Sequence, residues 1–252
     1  MFLKLPICLM APLFLMTAPA IGAAEQPPIA KAEFEKIIRT YLLEHPEILL
    51  DMSQELQKRQ YETRRDQSRS ALGGKQAELV SDASSPVAGQ IKEGDGTVTI
   101  VEFFDYRCGY CKKVSPMVQK MVAEDPAIRV VFKEFPILGP ESTAAAMAAL
   151  AANEQGGYLQ FHRALMASPD VSMGSIERMA AESGLDVGRL KKDVAKPELQ
   201  AALERNRTLA QALAIEATPA FVIGHELAPG ALDENAFRQL IAKAKADNGT
   251  AK

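Results

Sequence analysis

The sequence predicts an α/β fold in which a βαβ unit is followed by a block of helices and a later strand. Val98–Phe104 and residues 129–135 are rich in β-branched and aromatic residues, and Pro136 ends the second stretch. Residues 112–124 between them have helical spacing, which we expect Pro116 to interrupt. Because two strands joined through a helix pair in parallel, this unit predicts a sheet with a parallel centre.

A block of helices separates the βαβ unit from the last predicted strand, Ala220–Ile223. The block opens at Gly139-Pro140-Glu141, and seven alanines follow between Ala144 and Ala152. Alanine has the highest helix propensity, and its small side chain lets neighbouring elements pack closely. Within the block, further helices are predicted at residues 158–167, 175–183 and 198–214. A final helix is predicted after the strand, at residues 233–246.

An N-terminal pair of helices precedes this fold. Residues 31–44 have apolar positions every three to four residues, and Pro46 suits the first turn of a second helix. A stripe with alternating spacings of four and three crosses both helices and resembles a coiled-coil seam. Its members are Ile38, Leu42, His45, Leu49, Met52 and Leu56, of which only His45 is a weak core residue.

Two interpretations of this seam remain open. It could join several copies of the chain, or the helix pair could pack on the following domain, since two heptads are short for a free-standing coiled coil. Residues 57–70 are polar and charged, which is typical of a solvated helix face rather than of nucleic-acid contact. We expect Gly73-Gly74 to end this helix and residues 81–96 to form a linker.

The first residues have the pattern of a secretory signal peptide. Lys4 gives a positive start, and residues 5–16 are largely apolar. A transmembrane anchor is the alternative, but the apolar run is short and contains two prolines. We expect cleavage near Ala23 or Ala24, which removes Cys8.

The composition and the remaining cysteines limit the function. The 252-residue chain has 47% hydrophobic residues, enough for a packed core, and a net charge of −3, which gives no general attraction to nucleic acid. After export, Cys108 and Cys111 remain, in a compartment where disulfides form. A disulfide between them would close a tiny loop and restrict the unfolded chain little, so the pair suits chemistry better than stabilisation.

Cys108 directly follows a predicted strand and opens a helix. Helix N-termini present unpaired N–H groups and the positive end of the helix dipole, and both favour thiolate over thiol. Cys111 lies about one turn later and faces inward. We therefore expect Cys108 to be the nucleophile and Cys111 the resolving thiol. An inert disulfide and a metal site are alternatives; two sulfurs are few for zinc, but copper(I) accepts two thiolates.

Two further residues have less decisive positions. Glu102 lies in the apolar strand before the cysteines, where a carboxylate would have a raised pKa and could accept the proton of Cys111. An ordinary solvent-facing strand residue fits Glu102 equally well. Pro219 starts the strand Ala220–Ile223, and a plain trans proline is the default for an isolated X–Pro bond.

Two segments together carry a family resemblance. They are Phe103-Phe104-Asp105-Tyr106-Arg107-Cys108-Gly109-Tyr110-Cys111-Lys112 and Ala217-Thr218-Pro219-Ala220-Phe221-Val222-Ile223-Gly224. This combination resembles the DsbA-like thioredoxin-fold family, and within it the subgroup of the suppressor-of-copper-sensitivity protein ScsC. The resemblance implies a thioredoxin fold over residues 86–247 with a helical insertion at about 140–214, preceded by an N-terminal helical extension.

The resemblance also assigns roles to individual residues. It implies that Pro219 is cis and faces Cys108, that the backbone at Thr218 docks the substrate chain, and that Glu102 matches the family's buried acidic residue. The dipeptide Gly109-Tyr110, which we include in the substrate site, differs from the Pro-His of the strongly oxidising family founder. It is the dipeptide of the disulfide isomerase DsbC, which also has threonine before its cis-proline.

These observations predict a periplasmic protein disulfide isomerase or reductase, with a DsbA-like dithiol oxidase or a copper(I)-binding protein as alternatives. Its expected partners are unfolded or misoxidised exported proteins and a membrane redox protein, without cofactor, resident metal or nucleic acid. By resemblance, the N-terminal region joins chains into a homo-oligomer, with a trimer favoured. The expected boundaries are a signal peptide at 1–24, a helical oligomerisation region and linker at 25–85, a catalytic domain at 86–247 and a tail at 248–252.

Overall fold

The computed structural model describes residues 30–90 and 97–250 of the chain. The predicted signal peptide therefore lies outside the described residues. The chain divides into two compact units between Glu55 and Leu56. In the two described ranges, no helix is both long enough and apolar enough to cross a membrane.

A mixed five-stranded sheet forms the centre of the second unit, with the strand order β1-β3-β2-β4-β5. The two strands of the βαβ unit, β2 (Val98–Phe104) and β3 (Ile128–Glu134), are parallel, as predicted. β4 (Ala220–Ile223) pairs with β2 in the antiparallel direction. The sequence patterns miss the short edge strands β1 (Val87–Ala88) and β5 (Glu226–Pro229), because two to four residues are too few to display a period of two.

The helices fall into an N-terminal pair, a block between β3 and β4, and two helices that pack around the sheet. The predicted helical insertion is present, with α7 as an additional short element. The helices are α1 (Lys31–Glu44), α2 (Glu47–Val80), α3 (Gly109–Glu124), α4 (Pro140–Asn153), α5 (Tyr158–Ala167), α6 (Met173–Glu182), α7 (Val187–Asp193), α8 (Pro197–Ala212) and α9 (Glu234–Thr250).

The first unit contains α1 and the beginning of α2, and its apolar side chains are largely uncovered. No residue of α1 is buried. Of the seam residues in this unit, Leu42 and His45 are half-buried, and Ile38, Leu49 and Met52 are exposed. An apolar stripe is thus present on two helices that do not bury it themselves.

The predicted end of α2 at Gly73-Gly74 is wrong, because the helix continues to Val80. Leu72 and Leu79, one on each side of the glycines, are both buried in the core of the second unit. Tertiary packing of these leucines outweighs the low helix propensity of two glycines.

The predicted interruption at Pro116 is also wrong, because α3 runs through it. Proline removes the hydrogen bond from its own position to the carbonyl of Lys112, four residues earlier. Val114 and Val118, on either side, are buried in the core and hold the helix in place. The lost backbone hydrogen bond is therefore tolerated.

The two faces of the sheet carry two separate apolar clusters. Ile100 and Phe104 of β2 lie in one cluster, together with both cysteines and residues of α3, α4 and α5. Val101 and Phe103 point to the other face and pack with residues of α2 and α8. The alternation of a strand places Glu102 on the same face as Ile100 and Phe104, which is the face of the cysteines.

Lys133 attaches the end of α2 to the second face of the sheet. Its side chain is fully buried, and Nζ donates to the carbonyl of Glu78 (2.7 Å), to Oγ of Ser85 (2.8 Å) and to Oδ2 of Asp82 (3.1 Å). Burial lowers the pKa of the Lys133 ammonium, and the Asp82 carboxylate opposes this effect. All three ammonium hydrogens have acceptors, so the buried charge is compensated.

We expect Lys133→Ala to lower the free energy of unfolding by about 3 kcal/mol, because it leaves three acceptors without their donor. The measurement is urea unfolding of the reduced protein. Lys243→Ala is the control, since Lys243 forms an exposed ion pair with Glu226 and should contribute less than about 1 kcal/mol. Equal losses in the two variants would contradict the role given to Lys133.

Candidate active site

Cys108 is the N-cap residue of α3, at the end of the turn that follows β2. Its backbone is extended (φ −73°, ψ 114°), and its N–H donates to the carbonyl of Asp105 at 3.1 Å. Both cysteines are free thiols; Cys108 is 7% exposed and Cys111 is 0% exposed. Cys108 is therefore the thiol that a reaction partner can reach, next to the unpaired N–H groups of the helix start.

The carboxylate of Asp105 holds this turn in place. One oxygen accepts from the backbone N–H of Arg107 (2.7 Å) and from Oγ of Ser142 (2.7 Å). The other accepts from the backbone N–H groups of Ile137 (2.8 Å) and Leu138 (2.9 Å). The turn before Cys108 and the loop after β3 are thereby fixed to each other.

The start of β4 lies beside the end of β2. In the antiparallel register, Phe103 is opposite Ala220, so the residues just before β4 reach the cysteine turn. The Thr218–Pro219 peptide bond is cis, as the family resemblance implies. The Sγ–H of Cys108 donates to the carbonyl oxygen of Thr218 at 3.2 Å. Strand pairing thus brings together residues that are 110 positions apart in the sequence.

Cys111 lies behind Cys108, inside the first turn of α3. Burial raises the pKa of its thiol strongly; the nearby Cys108 and Glu102 add to this, and the backbone of Asp105 opposes it. Burial therefore favours the protonated form of Cys111, and a thiol attacks a disulfide only after it has lost its proton.

Glu102 is buried in the same region and acts electrostatically on the Cys111 thiol. Its side chain is 2% exposed, so the solvent-facing interpretation is wrong. Burial raises its pKa from 4.5 to about 8, and its Oε1 has no hydrogen-bond partner among the described residues. A carboxyl group that titrates near neutral pH can accept a proton and release it again.

Gly109 and Tyr110 lie on the outer side of the first turn of α3. Both are exposed, and a Cβ atom added at Gly109 would meet no atom within 4 Å. Lys112, which sequence reasoning missed, reaches across to α5 and donates to the carbonyls of Leu165 (3.1 Å) and Ser168. These contacts fix α3 to the helical insertion. In the described ranges, no three His, Cys, Asp or Glu side chains are grouped so as to hold a metal ion.

Family comparisons agree with this geometry. The DSBA-like thioredoxin domain family matches residues 99–242, more than half of the chain. The chain belongs to this family. The N-terminal domain of the copper resistance protein ScsC matches residues 31–62, which covers α1 and the beginning of α2. The described fold is accordingly a thioredoxin fold with a helical insertion and N-terminal helices.

Solved structures support the same assignment. A thioredoxin-like oxidoreductase from Silicibacter pomeroyi is 39% identical, with a TM-score of 0.63 over 68% of this chain and 97% of its own. The catalytic domain of Proteus mirabilis ScsC is 29% identical, with a TM-score of 0.64 over 71% of this chain and 98% of its own. BcfH from Salmonella enterica Typhimurium is 30% identical, with a TM-score of 0.69 over 85% of this chain and 95% of its own.

The curated relatives differ in size from this chain. Na(+)/H(+) antiporter NhaA 3 of Salinispora tropica is 28% identical over 132 residues, and NhaA 1 of Salinispora arenicola is 26% identical over 157 residues. The matches cover 51% and 60% of this chain but only 20% and 24% of those proteins. Disulfide bond formation protein D of Bacillus subtilis is 26% identical over 171 residues, which is 63% of this chain and 76% of that protein.

We expect Glu102→Gln to change the pH dependence of stability. Between about pH 4.5 and about pH 8, native Glu102 stays protonated while the unfolded chain ionises there. The free energy of unfolding of the reduced protein therefore falls as pH rises through this window, by up to about 1.4 kcal/mol per pH unit from this group. Glu102→Gln should remove that part of the slope, measured by urea unfolding across the window.

Glu182→Gln is the control for this experiment, because Glu182 is an exposed carboxyl on α6. In Glu182→Gln, the free energy of unfolding should change with pH as it does in the wild type. If Glu102→Gln kept the wild-type slope, the raised pKa of Glu102 would be refuted.

Proposed function

We propose that this member of the DsbA-like family is a periplasmic protein disulfide isomerase and reductase that acts through Cys108 and Cys111. The observation that carries the proposal is the placement of Cys108 at the start of α3, with Sγ 3.2 Å from the carbonyl before the cis-proline. Cys111 and Glu102 lie buried behind it. One thiol is thus accessible, and a second thiol and a base are close by.

The reaction begins at the accessible thiol. The Cys108 thiolate attacks a substrate disulfide, a Cys108–substrate disulfide forms, and one substrate sulfur leaves as thiolate. The backbone at Thr218 and Pro219, together with Gly109 and Tyr110, forms the surface along which the substrate chain docks. A substrate thiolate can then attack the mixed disulfide, which releases Cys108 and completes an isomerisation without net electron transfer.

Reduction follows when Cys111 acts instead of a substrate thiol. The ionised form of Glu102, which is the minor form below its pKa of about 8, accepts the Cys111 proton; the Cys111 thiolate then attacks Cys108 Sγ, and the substrate sulfur leaves as a thiolate. Two electrons pass from the cysteine pair to the substrate, and a disulfide forms between Cys108 and Cys111. A dithiol of a membrane redox partner must then reduce this disulfide before the next turnover.

The direction of electron flow is argued from the dipeptide between the cysteines. Gly109-Tyr110 matches the isomerase type that the sequence resembles, not the Pro-His of the strong oxidant. The open space around Gly109 shows that no packing constraint of the fold demands glycine there. The choice of residue therefore reflects redox function more than folding, which favours the isomerase and reductase role.

Oligomer formation is supported by the first unit. The seam residues Ile38, Leu49 and Met52 are exposed apolar side chains on consecutive helices, in the region that matches the ScsC N-terminal domain. Association of this stripe between copies would bury it. It would also place several Cys108 thiols around one substrate and raise their effective concentration. A trimer is favoured by the family resemblance.

Export to the periplasm rests on the predicted signal peptide and on the chemistry, since a disulfide isomerase needs an oxidising compartment. One structural neighbour from Salmonella enterica, 28% identical over 68% of this chain, is described as a periplasmic thioredoxin-like protein.

Refolding of scrambled ribonuclease tests the enzymatic proposal. The wild-type protein should restore ribonuclease activity, and Cys108→Ala should abolish the effect because the nucleophile is gone. Cys111→Ala should keep part of the isomerase activity but lose net reduction of substrate, since isomerisation can finish without the second thiol. A wild-type protein that oxidises reduced ribonuclease without reshuffling the scrambled form would instead support the dithiol oxidase.

Light scattering of the full mature chain tests the assembly. Met52→Glu should shift the mass from oligomer to monomer, because it places a charge in the apolar stripe. Met173→Glu is a matched control, since Met173 is equally exposed on α6 (59%, against 62% for Met52) and lies outside the stripe. A monomeric wild type, or the same mass for both variants, would refute the oligomer.

A further inference from the structure

A second buried carboxyl group lies at the end of β3, on the same face of the sheet as the cysteines. Glu134 is fully buried, and its Oε1 accepts from the hydroxyl of Tyr158 at 2.8 Å and from the hydroxyl of Tyr106 at 3.0 Å. In the parallel register, Glu134 of β3 is opposite Phe104 of β2. Glu102 lies two residues before Phe104 on β2, opposite Phe132. The mechanism given above does not use Glu134.

His162 extends this cluster from α5. Its Nδ1 lies 3.0 Å from the hydroxyl of Tyr106, and its ring contacts the rings of Tyr106 and Tyr158. Each tyrosine has one hydroxyl hydrogen, and Tyr106 gives its own to Glu134. The contact between Tyr106 and His162 is therefore a hydrogen bond in the tautomer in which His162 Nδ1 carries a hydrogen and donates it to the Tyr106 oxygen.

Burial disfavours the charged forms of the groups in this cluster. Burial raises the pKa of Glu134 well above its ordinary value, and the two tyrosine hydrogen bonds only partly oppose this. Burial lowers the pKa of His162 to about 3, so its ring is neutral. The remaining titratable groups that act on the cluster are Glu102, Asp105 and Arg163. Burial thus disfavours a negative charge in this cluster.

Tyr106 connects this cluster to the active-site turn. It lies two residues before Cys108, is almost fully buried, and packs edge-to-face on Phe104 at 5.2 Å. Asp105 holds the same turn through backbone N–H groups of the neighbouring loop. The hydroxyl of Tyr106 provides a second attachment, to β3 through Glu134 and to α5 through His162.

We propose that Glu134 and His162 are positioning residues that act through the hydroxyl of Tyr106, which anchors the nucleophile turn so that Cys108 Sγ stays at the start of α3 beside Thr218. This role rests on the proposed function, because it concerns the same thiol. The anchor consists of two hydrogen bonds at the Tyr106 hydroxyl, one to Glu134 and one to His162. Its partners are 28 and 56 residues away from Tyr106 in the sequence.

The two tyrosines give a matched pair of variants. Tyr106→Phe and Tyr158→Phe each remove one hydroxyl that donates to the same Glu134 oxygen, in side chains of equal burial, but only Tyr106 belongs to the turn. The readouts are the rate of Cys108 alkylation by iodoacetamide as a function of pH, resolved by mass spectrometry, and urea unfolding. Tyr106→Phe should slow alkylation at pH 7 by about fivefold and move the profile to higher pH, the size of effect that one hydrogen bond can produce.

Tyr158→Phe should lose a similar amount of stability but keep the alkylation rate within about twofold. Glu134→Gln keeps a neutral acceptor oxygen and should retain the wild-type profile. Glu134→Leu removes the acceptor and should behave like Tyr106→Phe. If Tyr106→Phe does not fold, His162→Phe replaces it, because this variant removes the hydrogen bond between Tyr106 and α5 but keeps an aromatic ring. His162→Phe should then be alkylated more slowly than Tyr158→Phe.

Equal effects of the two tyrosine variants on alkylation, or a shifted profile in Glu134→Gln, would overturn the positioning role. Alkylation needs no substrate disulfide, so its outcome is separate from that of the ribonuclease assay. Failure of the wild type to refold ribonuclease would remove the isomerase proposal and leave the alkylation comparison intact.

Discussion

The pairing of β2 on both sides is the constraint on which the site depends. β3 fixes one edge of β2 in parallel register over its full length, and β4 fixes the other edge in antiparallel register. The carboxyl end of β2 therefore delivers Cys108 beside the residues that precede β4, including Thr218. A one-residue slip of β2 would turn Glu102 to the other face and remove it from the thiols. Strand register, more than any single contact, sets the chemistry.

Burial then places the two thiols in different environments. Cys108 ends the turn at the surface, and Cys111, one turn later, points into the core, where burial raises the pKa of its thiol. The same burial raises the pKa of Glu102 to about 8. The apolar face of the sheet thus raises the pKa of both the Cys111 thiol and the Glu102 carboxyl group. The unfavourable free energy of burying these two polar groups is offset by the packing of the rest of the domain.

Local sequence signals predicted the parts of the structure that depend on neighbours in the chain. The βαβ unit, the block of helices before β4 and the cysteine motif follow from periodicity and spacing. The continuity of α2 through Gly73-Gly74 does not, because it depends on burial of Leu72 and Leu79 against distant strands. The cluster around Glu134 was missed for the same reason: Tyr106, in the turn after β2, meets His162 only when α5 packs against the sheet. The Thr218–Pro219 geometry was implied by family resemblance, not by residue pattern.

Three carboxyl groups lie close together at the ends of β2 and β3, and their hydrogen bonds distinguish them. Asp105 accepts from four donors, so its oxygens are committed to holding the turn. Glu134 accepts from two tyrosines through one oxygen. Glu102 has a buried oxygen that no described residue contacts as a donor, and burial alone accounts for its raised pKa. A proton on Glu102 Oε1 would therefore break no hydrogen bond to a described residue. Glu134 Oε2 is likewise buried without a hydrogen-bond partner among the described residues, but the other oxygen of Glu134 is tied to the active-site turn through Tyr106.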